Sequence, residues 1–298
     1  MYIQYAMETY SDELNQFIEM KQNQPRPISP ITMKKYIQTY LHLTDSLNKE
    51  GNWLTEIATD KLVRIINNFE VSATGILNYL NLFIMFRHNT LDLKILLDLR
   101  DKYNKRRAID TKAKILFKKD TLPSHDVVDK WISDLYTQKH YTQYLINYLI
   151  WTYGFRNRDV NLIIITNETF KKTDTITNYA IIRRTDSVLL INNYKTANSY
   201  GVKKIVCRSR RVLDCLNKLR EGPLITNKFS EPVNDSNLNY YINLYTHNGV
   251  ELGEADYLKI KLNWMQTQPN SLKNISKLCS TRGTLSIDTI NNYYNINV

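Results

Sequence analysis

Between Val160 and Cys207 the sequence abandons the helical spacing that governs most of the chain. VNLIIIT (160–166), YAIIRR (179–184), VLLINN (188–193) and GVKKIVC (201–207) are short, rich in β-branched residues and separated by polar turns. That pattern predicts a small antiparallel sheet. SHDVVDKWISDLYTQ and HYTQYLINYLIWTYG precede it as two helices. RRVLDCLNKLRE follows as another, and most of the remainder to Val298 reads as helix. The expected fold class is mainly α, with one small sheet inside the C-terminal half.

The N-terminal part reads as helical from residue 29 to residue 110. SPITMKKYIQTYLHLTDSL offers Ser29 as N-cap and Pro30 at the first helical position. TEIATDKLVRIINNF, SATGILNYLNLFIMFRH (capped by Ser72 or Thr74) and LDLKILLDLRDKYNKRRA continue a compact bundle. The basic run from Asp101 to Ser124, with Lys102, Lys105, Arg106, Arg107, Lys112, Lys114, Lys118 and Lys119, then reads as an interdomain linker. This places a helical N-terminal domain at 1–115 and a second domain at 116–298, divided near residues 111–121. No internal repeat appears.

Lys and Arg outnumber Asp and Glu by 40 to 29, a formal charge of +11. Such an excess favours a polyanionic partner, nucleic acid before a membrane surface. The three cysteines show no CxxC spacing, so neither a disulfide scaffold nor a thiolate zinc site is expected, and a reducing compartment, cytoplasmic or nuclear, fits. Five histidines without HExxH or HxxxH spacing predict no protein-bound catalytic metal, and no glycine-rich phosphate loop predicts nucleotide hydrolysis. No cofactor is expected. MYIQYAMETYSDEL lacks the basic start and apolar core of a secretory signal. TGILNYLNLFIMF stops at Arg87, short of a membrane span.

One phrase does not fit a plain core helix. WTYGFRNRDV (151–160) places Arg156 directly after an apolar run and a glycine, with Asp159 three residues on. YGFRNRDVNLI resembles the first-arginine box of tyrosine recombinases and phage-type integrases. INNYKTANSYGVKKI resembles their β-hairpin with a KT turn. STRGTLSIDTINNYYNINV resembles the terminal box, which ends in a threonine, three residues and a nucleophilic tyrosine. The resemblance spans the chain from about residue 29, with the N-terminal bundle similar to the family's core-binding domain. It implies Arg156 as a catalytic arginine beside Asp159, Lys195 as the catalytic lysine, and Tyr293 (after Thr289) as the nucleophile, with Tyr294 as its rival. It also implies a double-stranded DNA partner, a tetramer on DNA, and a viral, phage or other mobile-element setting, with virion association open.

The family's HxxR box departs. GEADYLKIKLNW puts Asp256 where histidine is expected and Lys259 where the second arginine is expected, unless His247 or Lys261 fills a role. Thr281 or Thr284 stands where a later His or Trp is expected. Lys keeps the charge of Arg but loses its two-pronged fork, and Asp beside a phosphate opposes the chemistry. The implied function is a strand transferase making a 3′-phosphotyrosyl link, with Arg156, Lys195, Lys259 and Tyr293 as its site. A degenerate DNA-binding relative and a type IB topoisomerase are the alternatives. The patch Lys203, Lys204, Arg208, Arg210 and Arg211 follows the hairpin as a phosphate-contacting or simply solvated basic face.

Overall fold

A computed structural model describes residues 10–25, 28–87, 93–166, 168–169, 174–247 and 249–283. The chain forms two compact units, residues 1–111 and 112–298, and is mainly helical with a small sheet. Its first helices are α1 (Asp12–Gln22), α2 (Pro30–Ser46), α3 (Trp53–Glu56), α4 (Thr59–Asn67), α5 (Ala73–Phe86) and α6 (Leu93–Lys119).

Ser29 and Ser72 cap α2 and α5, accepting from the backbone N–H of Thr32 and Gly75. The first unit is centred on Leu14, Ile18, Leu43, Leu62, Leu80 and Phe83, all fully buried. Two buried charges fix the short helix α3 within it. The Glu13 carboxylate accepts from Leu54 N (3.0 Å), Thr55 N (2.8 Å) and Tyr40 Oη (2.6 Å). Arg87 donates to the carbonyls of Leu54 (3.0 Å), Thr55 and Ile57 and to Thr59 Oγ1. A carboxylate thus meets the amides of this turn and a guanidinium its carbonyls, the complement of a helix's orphan groups.

Two expectations need correction here. The segment read as one helix from Thr55 divides at Ile57 and Ala58, whose extended backbone separates α3 from α4. The basic linker is not a break. α6 runs on through it to Lys119, and the division between units falls inside that helix. The run contains no glycine, and its first proline is Pro123, so nothing local stops the helix.

The second unit comprises α7 (His125–Thr137), α8 (Tyr141–Tyr153), β1 (Leu162–Thr166), β2 (Asn178–Ile182), β3 (Ser187–Ile191), α9 (Ala197–Tyr200), β4 (Lys203–Cys207), α10 (Arg210–Lys218), β5 (Gly222–Pro223), α11 (Leu238–Tyr241), β6 (Thr246–His247), β7 (Val250–Glu251), α12 (Glu254–Gln266) and α13 (Ser271–Arg282). Helix α8 is its centre, nearly all apolar and buried against α7, α10, α12 and α13. Its one buried amide, Asn147, is fully partnered: it donates to Gln143 O and Asn243 O and accepts from Tyr257 Oη at 2.6 Å.

The strand order is β4-β3-β2-β1-β5. All four expected strands form, but the sheet is mixed rather than antiparallel: β1 and β2 run parallel, Leu162 opposite Asn178 and Thr166 opposite Ile182. Strand composition carries no direction, and residues 167–177 come close to the dozen or so residues a parallel crossover needs. β2 and β3 form a tight hairpin closed by a two-pronged Arg183–Asp186 pair at 2.6 and 2.7 Å. β3 and β4 are also antiparallel, joined by residues 192–202. After α10 the chain is less helical than expected up to residue 253: this stretch holds β5, the short helix α11 and the β6–β7 ribbon. Cys207, Cys215 and Cys279 are buried and free. No helix among the described residues is long and apolar enough to cross a membrane.

Candidate functional site

Helix α8 ends at Gly154, whose φ of 66° is the left-handed conformation glycine accepts at a helix C-terminus. A Cβ there would come within 3.0 Å of the Leu278 side chain, so α13 lies directly against this turn. The chain then buries Phe155 completely and turns at Arg156. Asp159 closes the turn by accepting from the Arg156 N–H at 3.1 Å. Asp159 is 1% exposed, and its second oxygen has no hydrogen-bond partner in the structure. Burial pushes its pKa up, opposed by the Arg156 N–H and by the charges of Arg156, Lys203 and Arg282. Three cations from three elements therefore surround one buried carboxylate.

These cations also converge on the last turn of α13. Lys203 Nζ donates to Thr281 O at 2.8 Å, Arg156 Nη1 to Arg282 O at 2.8 Å, and Thr196 Oγ1 to Gly283 O at 2.9 Å. A helix C-terminus leaves its final carbonyls without partners and carries partial negative charge, so cations stabilise it. Arg282 returns the contact, donating to Gly154 O at 2.6 Å and to Glu254 Oε1 at 3.1 Å. Glu254 Oε2 accepts from Asn157 N at 2.6 Å. The ends of α8 and α13 are thus clasped in both directions. Gly283 has φ 72°, and a Cβ on it would meet Thr196 Oγ1 at 2.7 Å and Lys203 Nζ at 2.8 Å. No other residue fits there without movement.

The sequence-predicted site residues divide. Arg156 stands in the cluster with Asp159. Lys195 lies on the β3–β4 connection with an exposed side chain, while its neighbours Tyr194 and Thr196 and the later Lys203 reach the cluster. Lys203 Nζ sits 3.7 Å above the Tyr194 ring. Lys259 is drawn instead to Asp256 at 2.9 Å, and Asp256 also accepts from Gly253 N and Lys118 Nζ. Burial raises the Asp256 pKa, but these hydrogen bonds and the Lys259 charge outweigh it and hold the carboxyl below its usual range. The pair caps the first turn of α12. Tyr293, Tyr294, Thr289 and Thr284 lie outside the described residues. Arg282 and Glu254 had no sequence signal, since an arginine before a glycine also spells an ordinary helix end.

Lys203 and Lys261 share an electrostatic property. Burial draws both pKa values down to about 8, with the Asp159 charge opposing it at Lys203 and Asp129 at Lys261. Lys261 lies 5.0 Å from the Trp151 ring. Their folded pKa values lie below the unfolded 10.5. The cost of keeping them charged is thus fully present below pH 8 and is relieved as pH rises toward the unfolded value. Above about pH 9 the buried thiols of Cys215 and Cys279, and above about pH 10 the buried phenols of Tyr153 and Tyr257, whose pKa values burial raises, oppose further gain. The melting temperature should therefore climb between about pH 8 and 9, and Lys203→Met with Lys261→Met should flatten the climb. A melting temperature that falls across this window in the unaltered protein would contradict the assignment.

Among solved structures, the crystal structure of XerA recombinase aligns with 96% of this chain and 94% of that chain, at 14% identity and a TM-score of 0.35. No protein-family model matches the sequence, and no curated protein does. A likeness this distant leaves the function to the side chains. Arg156 and Lys203, both half-buried, bring a planar and a point-charge donor from a helix end and a strand, the chemistry that suits a tetrahedral anion, while Arg282 is committed to Gly154 O and Glu254.

Proposed function

We propose that this protein binds double-stranded DNA and breaks and rejoins it through a phosphotyrosyl intermediate, in the manner of the tyrosine recombinases its sequence resembles. The observation that carries the reading is the convergence of Arg156, Lys203 and Arg282 at the end of α13, the helix that leads in sequence to Tyr293. Arg156 grips two non-bridging oxygens of the scissile phosphate, where negative charge grows in the transition state. Arg282, 3% exposed, acts through Arg156 rather than on the phosphate. The Tyr293 oxygen attacks phosphorus, the bond to the 5′-oxygen breaks, and a lysine protonates the departing oxygen. Lys203 is the lysine within the cluster, and Lys195 on the same connection is the residue the motif nominates. Lys259 holds the start of α12 through Asp256 in this reading. The unit at 1–111 serves as the second DNA-binding body, and copies associate on DNA.

A nicked duplex that releases a short strand on cleavage traps the intermediate. The expected result is a covalent protein–DNA adduct that vanishes in Tyr293→Phe and persists in Tyr294→Phe. A second reading, binding without cleavage, is favoured by the Asp256–Lys259 pair, which commits the second expected cation elsewhere. Tight DNA binding with no adduct on any substrate decides for it.

A further inference from the structure

A cavity of about 420 Å³ opens beside the cluster, walled by Asn157, Asn239, Leu244, Thr246, Glu251 and Leu252 among others. It adjoins the phosphate site through one residue: the Asn157 N–H donates to the same Glu254 that holds Arg282. Its chemistry differs from that of the cluster. Glu251 is the titratable residue among the described walls, so the cavity repels a second phosphate and suits a neutral guest. The remaining polar walls are amides and a hydroxyl. Asn157 Nδ2 donates to Asn239 Oδ1 at 2.7 Å, while the buried Asn157 Oδ1 has no hydrogen-bond partner. Leu244 and Leu252 supply apolar contact.

From this combination we infer that the cavity receives one unpaired nucleobase of the DNA strand whose phosphate lies at Arg156, a deepening that rests on the proposed DNA binding. Amide side chains pair with base edges through a donor and an acceptor, and a carboxylate accepts from an exocyclic amine. The Glu251 carboxylate is an acceptor set beside the amides of Asn239 and Asn243, so the cavity favours adenine or cytosine, whose open edge pairs an exocyclic amine with a ring acceptor, over thymine, whose one N–H is flanked by two carbonyl oxygens that a carboxylate repels. Extruding a base costs least where it is already unpaired.

The test compares a paired duplex with the same duplex carrying one bulged adenine or one bulged thymine, using the full chain. The adenine bulge should bind about tenfold more tightly than the thymine bulge, the scale of one good base-edge pairing. Asn239→Ala and Glu251→Gln should each bring that ratio toward one. Because the readout is a ratio, general destabilisation cannot mimic it. Equal binding of the two bulges, or a ratio unchanged in both variants, overturns the proposal. Competition by free deoxyadenosine equal to that of the bulged strand also overturns it, since the guest would then be a nucleoside. Paired-duplex affinity unchanged in Arg156→Gln instead sinks the phosphate reading, and the bulge ratio remains a separate measurement.

Discussion

Arg282→Met should lower the stability of the 112–298 unit by about 2–4 kcal/mol, the consequence of leaving a buried carbonyl and a partly exposed carboxylate without their charged donor. Methionine fills a similar volume but donates nothing. Gly154 O would lose its 2.6 Å donor, and Glu254 would keep only the Asn157 N–H among the contacts described above. In a unit of this size such a loss lowers the melting temperature by roughly 10 °C. Arg282→Lys should recover part of it, since one ammonium can reach one acceptor but not serve both with a planar fork. A shift below about 1 kcal/mol for Arg282→Met would mean that the clasp between α8 and α13 contributes little to holding them together.

Arg156→Lys should have the largest functional effect. The substitution keeps the charge beside Asp159 and can still reach the Arg282 carbonyl, so folding should be nearly unaffected. What it loses is simultaneous contact with two phosphate oxygens. Removing one preorganised donor to a developing oxyanion typically costs about 10²–10³ in rate. Adduct formation should slow by that factor while duplex affinity falls much less, because the charge remains. Equal loss of both would assign Arg156 to ground-state binding alone.

The origin of each success and each miss in the sequence is physical. The turn around Arg156 was legible because glycine closes a buried helix at Gly154 and an acid three residues after Arg156 closes the turn. The strands were legible from their β-branched runs, but the parallel pairing of β1 with β2 is a matter of strand direction, which composition does not encode. Asp256 and Lys259 fitted two descriptions equally: an altered catalytic box and an i,i+3 pair at a helix start. Their mutual 2.9 Å contact and the Gly253 N–H belong to the second. Arg282 was hidden because its partners, Gly154 and Glu254, are remote in sequence. Lys203 was visible only as one charge in a basic run; burial against Tyr194 and Asp159 set it apart.

Helix α3 carries a consequence for how the first unit comes apart. Four residues close barely one hydrogen-bonded turn, too little to outweigh the cost of ordering them. Its amides depend on Glu13, 41 residues away at Leu54, and its carbonyls on Arg87, 33 residues away. Peeling α1 from the unit would strip the turn of its acceptor, and the released turn would leave Arg87 buried without the carbonyls it serves. The two charges therefore act as a latch between α1 and the end of α5, so that local fraying at either of them reaches the other through the turn they share.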